Sequence, residues 1–103
     1  MWLLIDDTRS LNVDAIARNA KSAKELLSLM CWDHVCFDYD LGEDESGYDV
    51  LKWAIQSCYL DNIHHVQLVT GNTVGRERMK NILEDNGYLT KDGCNFNRKL
   101  KEY

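Results

Sequence analysis

The sequence predicts an α/β protein, a three-layer sandwich around a central, mostly parallel sheet of four to five strands. Two observations predict it. Short apolar runs alternate with helix-length amphipathic segments, the pattern of βαβ units, which build parallel sheets with helices on both faces. The runs are also continuously apolar rather than alternating, as in strands buried on both sides. The chain has 103 residues, 45% hydrophobic and 28% charged. That suffices for one domain with its own core, spanning 1–103.

Residues 2–5 (Trp-Leu-Leu-Ile) form the first apolar run, which stops at Asp6. Residues 14–17 are a weaker extended segment and a candidate second strand. Ser22 and Glu25 have the spacing of a capping box. Behind them Ala23, Leu26, Leu27 and Met30 recur at i, i+3, i+4 and i+7, one helix face against a sheet. Residues 34–38 (His-Val-Cys-Phe-Asp) form a second strand that again ends in an acid. After a charged loop between Gly42 and Gly47, a helix is predicted over about 48–58, with Val50, Leu51, Ala54, Ile55 and Cys58 inward. Residues 66–70 form a third apolar strand leading into Thr70-Gly71-Asn72. A further helix is predicted over about 74–86, with Met79, Ile82 and Leu83 inward. The tail, 87–103, is poor in apolar residues and reads as one short strand and a final helical turn.

Composition excludes several classes. A net charge of −5 argues against general affinity for nucleic acid, which needs a basic face against phosphates. It suits a site for divalent cations, and solubility alone also accounts for it. The first apolar run is too short for a signal peptide, and no stretch approaches the roughly 20 apolar residues of a membrane span. A cytoplasmic location is expected. Cysteines at 31, 36, 58 and 94 form no C-x-x-C pair, and His34, His64 and His65 lack zinc-finger spacing. Reduced, buried thiols are expected. Trp2, Trp32 and Trp53 read as core and edge packing. The Gly42–Gly47 loop is acidic and lacks the phosphate-loop pattern. With no proline in the chain, turns rely on Gly, Asn and Asp.

In open parallel sheets, ligands bind at the carboxyl ends of the strands. The residues at those ends are Asp6-Asp7, Asp38-Tyr39-Asp40 and Thr70-Gly71-Asn72. Each has an ordinary structural use on its own: the acids as turn formers, Asn72 as a helix N-cap. Their convergence is the signal. Carboxylates crowded into one pocket repel, and such a cluster persists when a metal, a proton or a cation offsets the charge. Mg²⁺ prefers carboxylate oxygens and keeps open positions for phosphate. Asp6, Asp7 and Asp38 are therefore the predicted metal ligands. Thr70 is a candidate donor to a phosphoryl oxygen, and Asn72 with the helix start behind it a candidate anion site. Arg9 and Arg76 are candidate phosphate-binding cations, and Arg9 can equally neutralise the aspartates. Arg78 reads as surface.

Four blocks carry a family resemblance: Ile5-Asp6-Asp7-Thr8-Arg9, Cys36-Phe37-Asp38-Tyr39-Asp40-Leu41-Gly42, Gly47-Tyr48-Asp49 and Thr70-Gly71-Asn72-Thr73-Val74-Gly75-Arg76. In order and spacing they resemble the cyclic-phosphate-processing receiver domain family, found in bacteria and their phages. The resemblance implies a flavodoxin-like, receiver-like fold. By position it makes Asp6 and Asp7 the Mg²⁺-holding pair, Asp38 the aspartate that is phosphoacceptor in signalling receivers, and Thr70 the hydroxyl after the fourth strand. It also implies a phosphoester substrate, a nucleotide or RNA end. Where the family often carries histidines, this chain has Tyr39 and Val69. The Lys-Pro step of signalling receivers is missing, and no lysine, Lys91 included, is clearly placed to replace it.

Three functions follow as expectations. The first is Mg²⁺-dependent processing or binding of a cyclic or terminal nucleotide phosphate, with Asp38, Asp40 and Thr70 catalytic and Asp40 positioning or deprotonating water. The second is a degenerate receiver that binds a protein partner, and the third a phosphoacceptor in a signalling relay. Neither membrane nor bulk nucleic acid is an expected partner.

Overall fold

The computed structural model describes residues 1–98. The two apolar runs that end in aspartate form β1 (Trp2–Ile5) and β3 (His34–Phe37), paired in parallel with Ile5 opposite Phe37. β2 (Ala15–Ala17) joins the other edge of β1, and β4 (His65–Leu68) joins β3, both in parallel. After the helix α3 (Thr73–Asp85) the chain leaves the βαβ pattern. β5 (Tyr88–Thr90) and β6 (Asn95–Arg98) form an antiparallel hairpin, and β6 pairs antiparallel with β4. The strand order is β2-β1-β3-β4-β6-β5.

The α/β class and the mostly parallel sheet are those the sequence predicts. The sheet has six strands against the expected four to five, because residues 88–98 make two strands and not one. Asp92-Gly93 is the turn that separates them. Gly93 sits at φ +76°, and Asp92 Oδ1 accepts from the N–H groups of Cys94 at 2.8 Å and Asn95 at 2.7 Å. Tyr88 pins the hairpin to the core, its hydroxyl donating to the carbonyls of Leu60 and Ile63 at 3.0 and 2.6 Å. The expected final helical turn falls on 99–103, outside the described residues.

Layering also differs from the expectation of helices on both faces. α1 (Ala20–Leu29) packs on α2 (Gly47–Gln56), and α2 on α3. All three join one core with Leu3, Ile5, Val35, Phe37, Val66, Leu68 and Phe96, which alternate along the strands and so share one face. The β1–β2 connection, residues 6–14, contains no helix, and a hairpin follows α3. No described helix remains for the second face. There Trp2, 46% exposed, stacks on His34 with ring centroids 3.9 Å apart, and His34 lies 4.2 Å from His65.

Helix starts follow their caps. α1 begins three residues ahead of the expected Ser22 box. Asn19 is the N-cap, its Oδ1 accepting from Ser22 N at 2.8 Å, and Glu43 Oε1 accepts from Ala20 N at 2.7 Å. Asn caps as well as Ser, and starting at Ala20 puts that buried residue on the core face. α2 has a true capping box of Ser46 and Asp49. Its C-terminus closes in a Schellman motif, Tyr59 N bonding to Ala54 O and Cys58 N to Ile55 O. Cys58 takes φ +63° there, a left-handed conformation that costs a non-glycine residue about 1–2 kcal/mol. Glycine escapes that cost and loses about 0.5–1 kcal/mol in unfolded-chain entropy. Cys58→Gly is therefore expected to raise the urea midpoint slightly, by the equivalent of about 0.5–1 kcal/mol.

All four cysteines are free thiols, but only Cys36 is buried; Cys31 and Cys58 are exposed. Burial pushes the Cys36 thiol up to about 11, so it stays protonated and inert near neutrality. Among the described residues no helix is long and apolar enough to cross a membrane.

Candidate functional site

The parallel strands β1, β3 and β4 end along one edge of the sheet, and the sheet ladder runs one step past each end. Asp6 N donates to Ala17 O at 3.1 Å, Asp38 N to Ile5 O at 2.9 Å, and Val69 N to Phe37 O at 3.0 Å. Because Ile5 faces Phe37 in register, Asp6 and Asp38 emerge side by side, about one strand spacing of 4.8 Å apart. Asp7 completes the group. One carboxylate oxygen from each of Asp6, Asp7 and Asp38 lies within 4.8 Å of the other two. Gly42, at φ +70°, lets the loop close on Asp7, where a Cβ would stand 3.0 Å from Asp7 Oδ2.

Asp6 is 1% exposed. Its Oδ1 accepts from Thr8 N at 3.0 Å and Arg9 N at 2.8 Å, while its Oδ2 is buried without a hydrogen-bond partner among the described residues. A buried carboxylate oxygen without a hydrogen bond costs about 1–3 kcal/mol or more, and this one lies in a group of three carboxylates whose residue types could hold a metal ion. Arg9 supplies part of the balance, its Nη1 lying 3.4 Å from Asp6 Oδ2 and also donating to the Val69 carbonyl. It thereby ties the end of β1 to the end of β4. Arg18, which the sequence did not single out, stitches the same loop, donating to the carbonyls of Asp6 at 3.3 Å and Arg9 at 2.6 Å. Its position one residue past β2 was the available signal. Burial lifts the Asp38 carboxyl above the usual carboxylate range, and the Asp6 charge adds to this, while Thr70 and Arg9 oppose it.

Thr70 is 6% exposed, and its Oγ1 accepts from Asn72 N at 3.1 Å. Asn72 is the N-cap of α3, with Oδ1 accepting from Gly75 N at 2.9 Å and Nδ2 donating to Asp40 Oδ2 at 3.4 Å. Asp40 is exposed and held on the rim by that amide, outside the three-carboxylate group. Helix geometry leaves the Thr73 and Val74 N–H groups without intrahelical partners.

A family model described as Cyclic-phosphate processing Receiver domain matches residues 1–85. The chain belongs to this family. No curated protein and no solved structure shows a significant match to it. The family match ends with α3, so the β5–β6 hairpin lies beyond it. Within the matched segment this family member places Tyr39 against α3 and not over the carboxylates. A Cβ on Gly75 would come within 2.3 Å of the Tyr39 ring, and Arg78 donates to the Tyr39 hydroxyl at 2.8 Å. The Arg78 guanidinium also sits 4.2 Å from the Tyr48 ring centroid, so this exposed arginine clamps Tyr39 and Tyr48 together. Arg76 faces a different way, into a groove with Lys80 and Lys91.

Proposed function

We propose that this receiver-like protein processes a phosphate ester, a cyclic or terminal nucleotide phosphate, at the edge formed by Asp6, Asp7, Asp38 and Thr70, with Mg²⁺ as the divalent cation. The observation that carries the reading is the buried Asp6 Oδ2, which accepts no hydrogen bond among the described residues and lies beside two further carboxylates with Arg9 as its one cationic neighbour. The three acidic side chains fit a hard cation that prefers oxygen ligands, and a cation held there supplies Lewis-acid neutralisation of phosphoryl charge.

The chain's own groups have separate tasks. Thr70 and the free N–H groups of Thr73 and Val74 hold phosphoryl oxygens at the positive end of α3. Opening a cyclic phosphodiester forms one bond from water oxygen to phosphorus and breaks one bond from phosphorus to a sugar oxygen. The water loses a proton and the departing oxygen gains one. Asp40, on the rim outside the three-carboxylate group and hydrogen-bonded by Asn72, is the carboxylate we assign to take the water's proton.

Calorimetric titration of Mg²⁺ and Mn²⁺ into the wild type and Asp38→Asn tests the first step. Binding at millimolar concentration or tighter, lost in the variant, is the expected result. Turnover of a 2′,3′-cyclic nucleotide to a monoester, abolished in Asp38→Asn with the fold intact, is expected to follow. Equal metal binding by the two proteins overturns the ligand assignment, and undiminished turnover in the variant overturns the reaction. A second reading, a protein-binding module, draws on the helix-free sheet face where Trp2 is 46% exposed; it requires no metal.

A further inference from the structure

We propose that the groove between α3 and the turn joining β5 to β6 binds a second phosphate of the ligand, through Arg76 and Lys91, so that the protein takes an oligonucleotide end in preference to a mononucleotide. This rests on the phosphate-ester reading of the neighbouring edge and adds a subsite to it.

Topology puts the groove where such a ligand would pass. β6 runs antiparallel to β4, Asn95 pairs with Gln67, and the Cys94 carbonyl accepts from Leu68 N at 2.8 Å. The turn before β6 therefore lies at the carboxyl ends of the parallel strands, the edge that carries Asp6, Asp38 and Thr70. In the order β1-β3-β4-β6, the acidic group lies over β1 and β3, Thr70 over β4, and the turn over β6. From β3 to β6 is two strand spacings, about 10 Å. One phosphate cannot reach from the acidic group to the turn, whereas a ligand with two phosphates can.

The groove encloses about 530 Å³, and Arg76, Lys80 and Lys91 line it together with Glu77, Glu84 and Asp92. Formally these charges cancel, but they are not equally available. Lys80 Nζ bridges Glu77 at 3.7 Å and Glu84 at 3.6 Å. The Asp92 carboxylate keeps its charge, but its oxygens are turned to the loop, accepting from Cys94 N, Asn95 N and Asn95 Nδ2 at 2.7–2.8 Å. Arg76 and Lys91 have no carboxylate within 4.0 Å among the described residues. Two uncommitted cations facing one groove, in a chain of net charge −5, make an anion subsite. Arginine adds the planar fork that grips two phosphate oxygens at once.

The test compares two probes in the Mg²⁺-loaded full chain: uridine 3′-phosphate, and the dinucleotide UpUp, which adds one internal phosphodiester. The wild type is expected to bind the dinucleotide at least about tenfold more tightly. Lys91→Glu and, separately, Arg76→Ala are expected to remove that advantage while uridine 3′-phosphate binds as before. The wild type's salt dependence for UpUp should exceed that of Lys91→Glu by about 0.7 in log–log slope, the value for one phosphate contact on a single strand. Equal affinities for the two probes, or a preference that survives in both variants, overturn the subsite and leave the acidic site standing. Loss of binding of both probes on mutating Lys91 also overturns it, since a separate subsite cannot abolish mononucleotide binding. If the wild type binds neither probe, the phosphate-ester reading fails and takes the subsite with it.

Discussion

Asp6→Asn is expected to make the metal-free protein more stable and to abolish its stabilisation by Mg²⁺, so that the order of stabilities reverses when the metal is added. In the absence of metal, Asp6 Oδ2 is buried beside Asp7 and Asp38 and accepts no hydrogen bond among the described residues. An asparagine keeps Oδ1 for the N–H groups of Thr8 and Arg9 and places an N–H donor where the orphaned oxygen stood, with carboxylate acceptors beside it. The relief is worth about 1–3 kcal/mol. Against it stands the loss of the Arg9 pair at 3.4 Å, whose arginine is 42% exposed; such a pair contributes about 0–1 kcal/mol. Relief wins, by about 1–2 kcal/mol. With Mg²⁺ at a hundred times its Kd, the wild type gains about 2.7 kcal/mol by mass action. For a domain of this size that is a Tm increase of about 10–20 °C. The variant is expected to show no metal-dependent shift, since losing one of three ligands costs more than the ~10–100-fold that outer-sphere changes already cost. Thermal melts of both proteins with and without Mg²⁺ check it. A wild type that melts at the same temperature in both conditions would leave the acidic group without a metal role.

The parts of the molecule that could be read from sequence are those where one residue type has one use. Continuous apolar runs ending at Asp6 and Asp38 had to be neighbouring buried strands, and once they are neighbours in register their aspartates must meet. The Asp6, Asp7 and Asp38 group was legible for that reason. The β5–β6 hairpin was not, because only Tyr88 and Phe96 of its two strands are fully buried, too few for a strand pattern on either side of the Asp92-Gly93 turn. The single layer of helices was half legible: the sequence already lacks a helix pattern over residues 6–14, but the strand order that puts all three helical crossovers on one face is not fixed by apolar runs. Side-chain roles divided in the same way. The sequence proposed Arg9, Arg76, Asn72 and Asp40 for one pocket, while the structure commits Arg9 to Asp6 and Val69, joins Asn72 to Asp40 on the rim, and turns Arg76 toward Lys91. Spacing along a chain fixes which element carries a residue but not which neighbour its long side chain chooses.

Gly47→Ala is expected to be the most damaging single-methyl change in the chain. Gly47 opens α2, and its N–H donates to Tyr39 O at 2.7 Å. A Cβ built on it would stand 1.7 Å from the carbonyl oxygen of Asp38 and 2.8 Å from its carbonyl carbon. Backbone cannot rotate aside, so the start of α2 must lift from β3 or the peptide after Asp38 must move. Overpacking of buried sites costs about 1–3 kcal/mol and occasionally more, and a clash with main chain belongs at the upper end. The better helix propensity of alanine returns at most about 1 kcal/mol. A net loss of at least about 2 kcal/mol follows, a Tm lowered by about 10 °C or more. Gly75→Ala is the control. Its Cβ would meet the Tyr39 ring at 2.3 Å, but that is a side chain, which can move by rotation about its own bonds at the cost of the Arg78 hydrogen bond, so a smaller loss is expected, with the Asp38 main chain left in place. The two variants thus separate stability from site geometry: in Mg²⁺ titrations on protein still folded at low temperature, Gly47→Ala should weaken metal binding and Gly75→Ala should not. Equal effects of the two on metal affinity would mean that the contact of α2 with the Asp38 peptide does not position the acidic group.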